Sequence, residues 1–176
     1  FGERTKAEKA ELKKLKEKLK ALEKEQDDTN SNKLYEEGNA FEWRFQFPQL
    51  LDDKGQFTGF DIVIGNPPYG AKLSDTEKKI FKEKFSDVHM RTPETFCYFT
   101  SMAFRLSSKT RCGIVAYIVP NNIFFQNENE KTRILLAIDN TLLRAINLGD
   151  NTFEDADVPT CIFIAKQEKL ENYNIA

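Results

Sequence analysis

The ten residues from Phe60 to Tyr69, FDIVIGNPPY, decide the fold. Phe60 to Ile64 is a short apolar, β-branched run that stops at Gly65, the pattern of a strand buried on both faces. Two prolines follow at once. Neither has an N–H to give to a ladder and both hold φ near about −65°, so the chain leaves the sheet rigidly with its carbonyls free. In an open α/β sheet, ligands bind at loops leaving the carboxyl ends of strands. The loop here offers two acceptors side by side, the Asn66 side-chain oxygen and the Pro67 carbonyl, with the flat ring of Tyr69 two residues on.

Downstream, Thr92-Pro93-Glu94 supplies a cap, an N-terminal proline and an acidic first turn, and Phe96, Phe99, Ala103 and Leu106 continue at helical spacing, predicting a helix from about Pro93 to Ser107. Cys112 to Val119 reads as a second buried strand, Glu130 to Asp139 as a helix, and Leu142 to Leu148 and Thr160 to Ala165 as strands. This alternation predicts an α/β fold with a parallel sheet. Such a sheet needs cover on both faces, so the portion is expected to be half a domain. Upstream, Phe41, Trp43, Phe45 and Phe47 alternate with polar residues and predict an extended segment ending at Pro48. The charged stretch from Lys72 to Arg91, with His89, reads as a solvated helix, the alternative being a mobile loop near nucleic acid. Thr5 to Gln26 carries Leu12, Leu15, Leu19 and Leu22 at spacings of a helix face and predicts an amphipathic helix of roughly 33 Å. Asp27 to Asn32 is a breaker-rich linker. The expected organisation is a charged helix over 1–28, a linker over 29–40, a catalytic half-domain over 41–167 and a tail over 168–176.

Composition bounds the function. With 176 residues, 40% of them hydrophobic and 31% charged, the chain fits about one soluble domain and is neither collagenous nor mucin-like nor wholly disordered. Its longest apolar stretch, Gly113 to Pro120, falls far short of the roughly 20 residues that cross a bilayer. No basic-then-apolar signal region lies behind Phe1, so no membrane partner is expected and the chain reads as an internal piece of a longer protein. Cys97, Cys112 and Cys161 lie far apart and His89 is the only histidine, so neither zinc nor a disulfide framework is readable, and a reducing cytoplasm is the expected compartment. The net charge of −2 argues mildly against tight, independent nucleic-acid binding. No two of the eight glycines make the G-x-G turn that cradles a nucleotide.

An acceptor pair beside an aromatic plate suits one task, the holding of a planar base while both hydrogens of its exocyclic amino group are drawn to acceptors. The amino nitrogen of adenine is a poor nucleophile because its lone pair is delocalised into the ring. Hydrogen bonds that pull it toward tetrahedral geometry restore that lone pair for attack on an electrophilic methyl. The proton becomes acidic only as the nitrogen gains charge, so no strong general base is needed beforehand.

FDIVIGNPPY resembles the catalytic motif of amino-methyltransferases, and most closely that of the adenine-specific DNA methylases of TaqI-like and type IIG restriction-modification enzymes. FEWRFQFPQLL (Phe41 to Leu51), GIVAYIVPNNIF (Gly113 to Phe124) and INLGDNTFEDADVPTCIFIAKQ (Ile146 to Gln167) are similar to further blocks of that family. The resemblance covers residues 41 to 167. It implies an incomplete Rossmann-like, S-adenosylmethionine-dependent methyltransferase fold, the C-terminal half of its sheet. It also implies that Asn66 and the Pro67 carbonyl bind the target amino group, that Tyr69 stacks on an adenine flipped out of double-stranded DNA, that Pro68 borders the base, and that Phe153 is the second aromatic wall. Base extrusion costs a few kcal/mol and stacking returns about 1–3 kcal/mol per contact, so two walls could offset it. The chain departs from the family at Glu94-Thr95-Phe96, where Asp-Leu-Tyr is frequent. The methyl donor would be S-adenosylmethionine, no metal is called for, and the cofactor motif and the target-recognition domain are expected upstream and downstream of this piece. Alone, it is expected neither to bind S-adenosylmethionine tightly nor to methylate.

Other readings stay open. Protein-glutamine and ribosomal-RNA guanine methyltransferases use a similar motif, and an interaction module built on the Thr5 to Gln26 helix is a non-catalytic alternative. Asn66 to Tyr69 could be a plain strand-exit turn and Phe153 plain core. Asp61 is expected to orient the loop. Asn121 and Asn122 either line the pocket or form a turn.

Overall fold

The computed structural model describes residues 13–14, 16–18, 41–92, 94–149 and 158–170. Two compact units divide between Pro48 and Gln49.

In the first unit, residues 13–14 and 16–18 are helical and exposed, and the Leu12, Leu15, Leu19 and Leu22 stripe of the expected amphipathic helix lies outside the described residues, as does the linker. Phe41 to Phe47 is not extended. A short helix, α1 (Trp43–Gln46), replaces the expected strand, with the Glu42 carboxylate accepting from the Arg44 backbone N–H at its start. The period-two pattern misleads because it also places Trp43 and Phe47 four residues apart, where their rings stack at 5.8 Å.

The second unit holds a four-stranded sheet. Its strands are β1 (Ile62–Gly65), β2 (Ile114–Pro120), β3 (Thr141–Gly149) and β4 (Thr160–Lys166). Between β1 and β2 come α2 (Asp75–Lys84) and α3 (Thr95–Leu106); between β2 and β3 comes α4 (Glu130–Ile134), which widens into a π-helical turn over Leu135–Asp139. The charged segment is therefore a solvated helix over half of its length, started by a capping box in which Ser74 and Glu77 satisfy each other's backbone N–H.

Sheet order is β1-β2-β4-β3, with β1 and β2 parallel and β4 antiparallel to both of its neighbours. The expected parallel sheet is thus corrected to a mixed one in which β4 alone runs against the other three. Only ten residues separate the end of β3 from the start of β4, fewer than the dozen or more that a crossover to a parallel neighbour needs, so the two pair antiparallel. Consecutive parallel strands need the longer crossover that α2 and α3 supply between β1 and β2.

Register puts Val115, Tyr117 and Val119 of β2 on one face with Cys161, Phe163 and Ala165 of β4, and these join Phe96, Phe104, Ile123 and Leu136 in the core. The opposite face carries Ile114, Ile118, Ile162 and Ile164, continued by Ile62 and Ile64 of β1. Ile62 and Ile64 are 64% and 79% exposed, so β1 is half-buried on one face and exposed on the other, contrary to the reading of its apolar run. The residue types suit a doubly covered strand, but among the described residues of the second unit no helix covers Ile62 and Ile64.

The entrance to β1 is pinned to the end of α3. Phe60 N–H donates to the Leu106 carbonyl and Ser108 N–H to the Phe60 carbonyl, each at 2.8 Å. This close approach requires Gly59, whose φ is +84° and whose Cβ, if present, would lie 2.7 Å from both the Ser107 carbonyl carbon and the Ser108 nitrogen. Among the described residues no helix is long and apolar enough to cross a membrane.

Candidate active site

Because β1 and β2 are parallel neighbours, the loops that follow Gly65 and Pro120 leave the same edge of the sheet. The β1 exit needs a small residue, since a Cβ at Gly65 would sit 3.3 Å from the Tyr117 ring, which in turn packs against Phe163 at 5.9 Å. From there Asn66, Pro67 and Pro68 run without regular structure. Asn66 and Pro68 are exposed, Pro67 is buried and Tyr69 is half-buried.

Two long-range hydrogen bonds hold this loop in place. The hydroxyl of Thr95, in the first turn of α3, donates to the Pro68 carbonyl at 2.7 Å. Tyr69 reaches across to β2, its hydroxyl lying 2.9 Å from the Ile118 carbonyl and 2.5 Å from Asn66 Oδ1. Burial raises the Tyr69 phenol above its ordinary pKa, with the Cys161 thiol adding to the effect, so the hydroxyl is a donor at neutral pH. One phenolic proton cannot serve both acceptors fully. The spot between Asn66 Oδ1 and the Ile118 carbonyl therefore attracts hydrogen-bond donors, and Tyr69 fills it.

The remaining sequence candidates separate into distinct roles. Asp61 is ion-paired with Arg111, which also donates to the Gly59 carbonyl at 2.7 Å, so its contact braces the entrance of β1 and not the exit loop. Asn122 is tied to the buried Asn129, whose side-chain amide donates to its Oδ1 at 3.2 Å, so it builds the turn after β2. Asn121 stands at that strand end with its side chain 3.4 Å from Asn147 Oδ1. His89 is held by Tyr98, with Nδ1 2.8 Å from the tyrosine hydroxyl and the rings stacked. Phe153 and Pro93 lie outside the described residues. No group of His, Cys, Asp or Glu among the described residues is arranged to hold a metal ion.

Two contributors escaped the sequence reading. The Ile118 carbonyl is a backbone group of an apolar strand and leaves no mark in residue type. Thr95 registered only as a departure from Asp-Leu-Tyr, although its hydroxyl is what anchors the motif loop.

A family model described as Eco57I restriction-modification methylase matches residues 3–153. A curated protein of Methanocaldococcus jannaschii, named for a type II restriction enzyme and methyltransferase, is 30% identical over 130 residues, 74% of this chain. The chain spans only 10% of that relative's length. Among solved structures, the methyltransferase subunit of a type I restriction-modification system from Streptococcus thermophilus is 26% identical, with a TM-score of 0.51 over 64% of this chain and 24% of that one. A class I S-adenosylmethionine-dependent methyltransferase from Listeria monocytogenes shares the fold, at 17% identity and a TM-score of 0.50 over 65% of this chain and 34% of that one. The motif loop at the carboxyl edge of a methyltransferase-like sheet and the extent of these matches agree: the chain belongs to the Eco57I restriction-modification methylase family.

Proposed function

We propose that this chain carries the base-binding part of an adenine-specific (N-6) DNA methyltransferase that takes its methyl group from S-adenosylmethionine. The observation that supports the reading most is the donor-seeking spot between Asn66 Oδ1 and the Ile118 carbonyl, where the Tyr69 hydroxyl sits 2.5 Å from the first and 2.9 Å from the second. An exocyclic amino group brings two N–H donors. It could take the place of the hydroxyl while the freed Tyr69 ring turns to stack on the base.

In this reading one amino hydrogen goes to Asn66 Oδ1 in place of the phenol and the other to the Pro67 carbonyl, which localises the nitrogen lone pair, while the Ile118 carbonyl holds only the resting Tyr69 hydroxyl; Pro68 borders the ring with its exposed face. Thr95 keeps the acceptors in place through the Pro68 carbonyl. Phe153 is the proposed second wall. The proton leaves after the nitrogen has gained charge, and the open edge around the exposed Asn66 lets water receive it.

S-adenosylmethionine supplies an electrophilic methyl when bound. The described residues do not fit it: they contain no glycine-rich turn, and α3 carries no carboxylate, its N-cap Glu94 being the nearest one. The donor site is accordingly assigned outside the described residues. Calorimetric titration of this chain with S-adenosylmethionine is expected to show no micromolar binding.

The decisive experiment incubates the full-length protein carrying this chain with labelled methyl donor and, separately, duplex DNA, RNA or a glutamine-bearing release-factor-like protein. Label in adenine of DNA, lost on Asn66→Ala, is the expected result. Label in RNA or protein alone, or methylation unchanged by Asn66→Ala, would sink the proposal.

A further inference from the structure

Directly after Tyr69 the chain runs into a broad surface groove of about 750 Å³. Its walls come from the Gly70–Leu73 segment, from α2 and from Arg91, Thr92 and Glu94, and its charged side chains are Lys72, Lys78, Lys79, Lys82 and Arg91 against the single carboxylate of Glu94. The chain as a whole carries −2, so this excess is local. Neither is it neutralised from within. Lys78 is paired with Asp75, but Lys72, Lys79, Lys82 and Arg91 form no ion pair among the described residues. Of the carboxylates nearest in sequence, Glu77 caps α2 and Asp87 takes Arg105 and the Ser101 hydroxyl, while Glu83, beside Lys82, does not line the groove.

The helix that presents these lysines is fixed from behind. Phe81 and Phe85, one turn apart at the end of α2, pack on Tyr98 of α3 at 4.9 and 5.6 Å between centroids. His89 stacks on the same tyrosine, and Arg105 lies 4.7 Å over the Phe85 ring. A cationic face on an anchored helix loses little entropy on meeting a ligand, which is the advantage of preorganisation. The potential there is felt by His89, whose imidazolium is disfavoured by burial first and by Lys82 and Lys131 next.

We propose that Lys72, Lys79, Lys82 and Arg91 form a track for the DNA phosphate backbone, gripping the strand beside the nucleotide presented to the Asn66–Tyr69 loop. The inference rests on the reading of that loop as a base site, and it assigns a second task to a segment without chemistry of its own. Single cations suit phosphate as point charges, and phosphate contacts fix register and orientation without reading sequence. An open groove with a row of cations fits an extended polyanion better than a small anion, which one or two enclosed donors would hold. Continuity with Tyr69 selects the strand that carries the target base.

The test uses the full-length protein and a labelled duplex, with the dissociation constant followed against NaCl concentration. Removing one cation from its phosphate lowers the slope of log K against log salt by about 0.9. Lys79→Ala with Lys82→Ala should therefore flatten it by about 1.8 and raise KM for DNA. Lys72→Gln with Arg91→Gln, on segments outside α2, should act alike. Lys109→Ala, on a different groove, should leave slope and methylation unchanged. All four targeted side chains are exposed, and an unchanged melting curve verifies folding. An unaltered slope in both double variants overturns the track, and so does flattening seen with single-stranded RNA but not with the duplex. If the slope is unaltered while Asn66→Ala still abolishes methylation, the track alone falls; if Asn66→Ala methylates normally, the base-site reading falls with it.

Discussion

Replacing Tyr69 by phenylalanine isolates the hydroxyl that closes the site. The ring, and with it about 1–3 kcal/mol of stacking on a base, is retained. What disappears is one donor shared between Asn66 Oδ1 at 2.5 Å and the Ile118 carbonyl at 2.9 Å. One proton makes one good hydrogen bond, and a neutral one contributes a net of about 1 kcal/mol. An incoming amino group has to displace it, so its removal should favour base entry by about 1 kcal/mol, roughly fivefold. The assay places 2-aminopurine at the target position of a duplex and reads its fluorescence on binding to the full-length protein. Tyr69→Phe should raise the extruded fraction about fivefold at subsaturating protein, whereas Tyr69→Ala, which also forfeits about 1–3 kcal/mol of stacking, should lower it by a net of up to about 2 kcal/mol, roughly thirtyfold. A Tyr69→Phe loss as large as that of Tyr69→Ala would refute the reasoning, because the hydroxyl would then be needed with the base in place.

Three further predictions concern the frame and its titration. Gly55 has φ +72° with open space around it, so Gly55→Ala should cost only the left-handed strain of about 1–2 kcal/mol. Gly59→Ala adds a clash with the Ser107–Ser108 backbone and should cost roughly 2–5 kcal/mol in urea unfolding, and equal losses at the two positions would contradict the close packing of α3 on β1. Since His89 is held below its ordinary pKa by burial, Lys82 and Lys131, the unfolded chain takes up its proton first as pH falls. The urea midpoint should therefore be full above about pH 6.5 and decline as pH drops through that value toward the lower folded pKa, with the decline lessened in His89→Gln. Burial pushes the thiols of Cys97 and Cys161 up to about 11 and about 12, so alkylation at pH near 8 should mark them only after unfolding, and rapid native labelling of either would contradict their place in the core.

Local physics made much of the second unit legible. The β-branched run before Gly65, the helical spacing of Phe96, Ala103 and Leu106, and the apolar strands from Ile114 and Thr160 all lie where their residue types put them. The exit loop was equally readable, because two prolines restrict their own backbone whatever surrounds them. The Phe41 to Phe47 alternation failed because one aromatic pattern serves both a strand and the stacked Trp43–Phe47 pair of a short helix.

Sequence by itself thus determined the strand, the rigid loop and the acceptor-bearing Asn66, since each depends on torsions and hydrogen-bonding capacity within a few residues. Only tertiary structure decided the direction of β4, the uncovered face that leaves Ile62 and Ile64 in solvent, the anchoring of Pro68 by Thr95, and the closure of the site by Tyr69 on the Ile118 carbonyl. Those features depend on which strands become neighbours. Residue type sets what a side chain can bond or bury, whereas the sheet order sets what stands within reach.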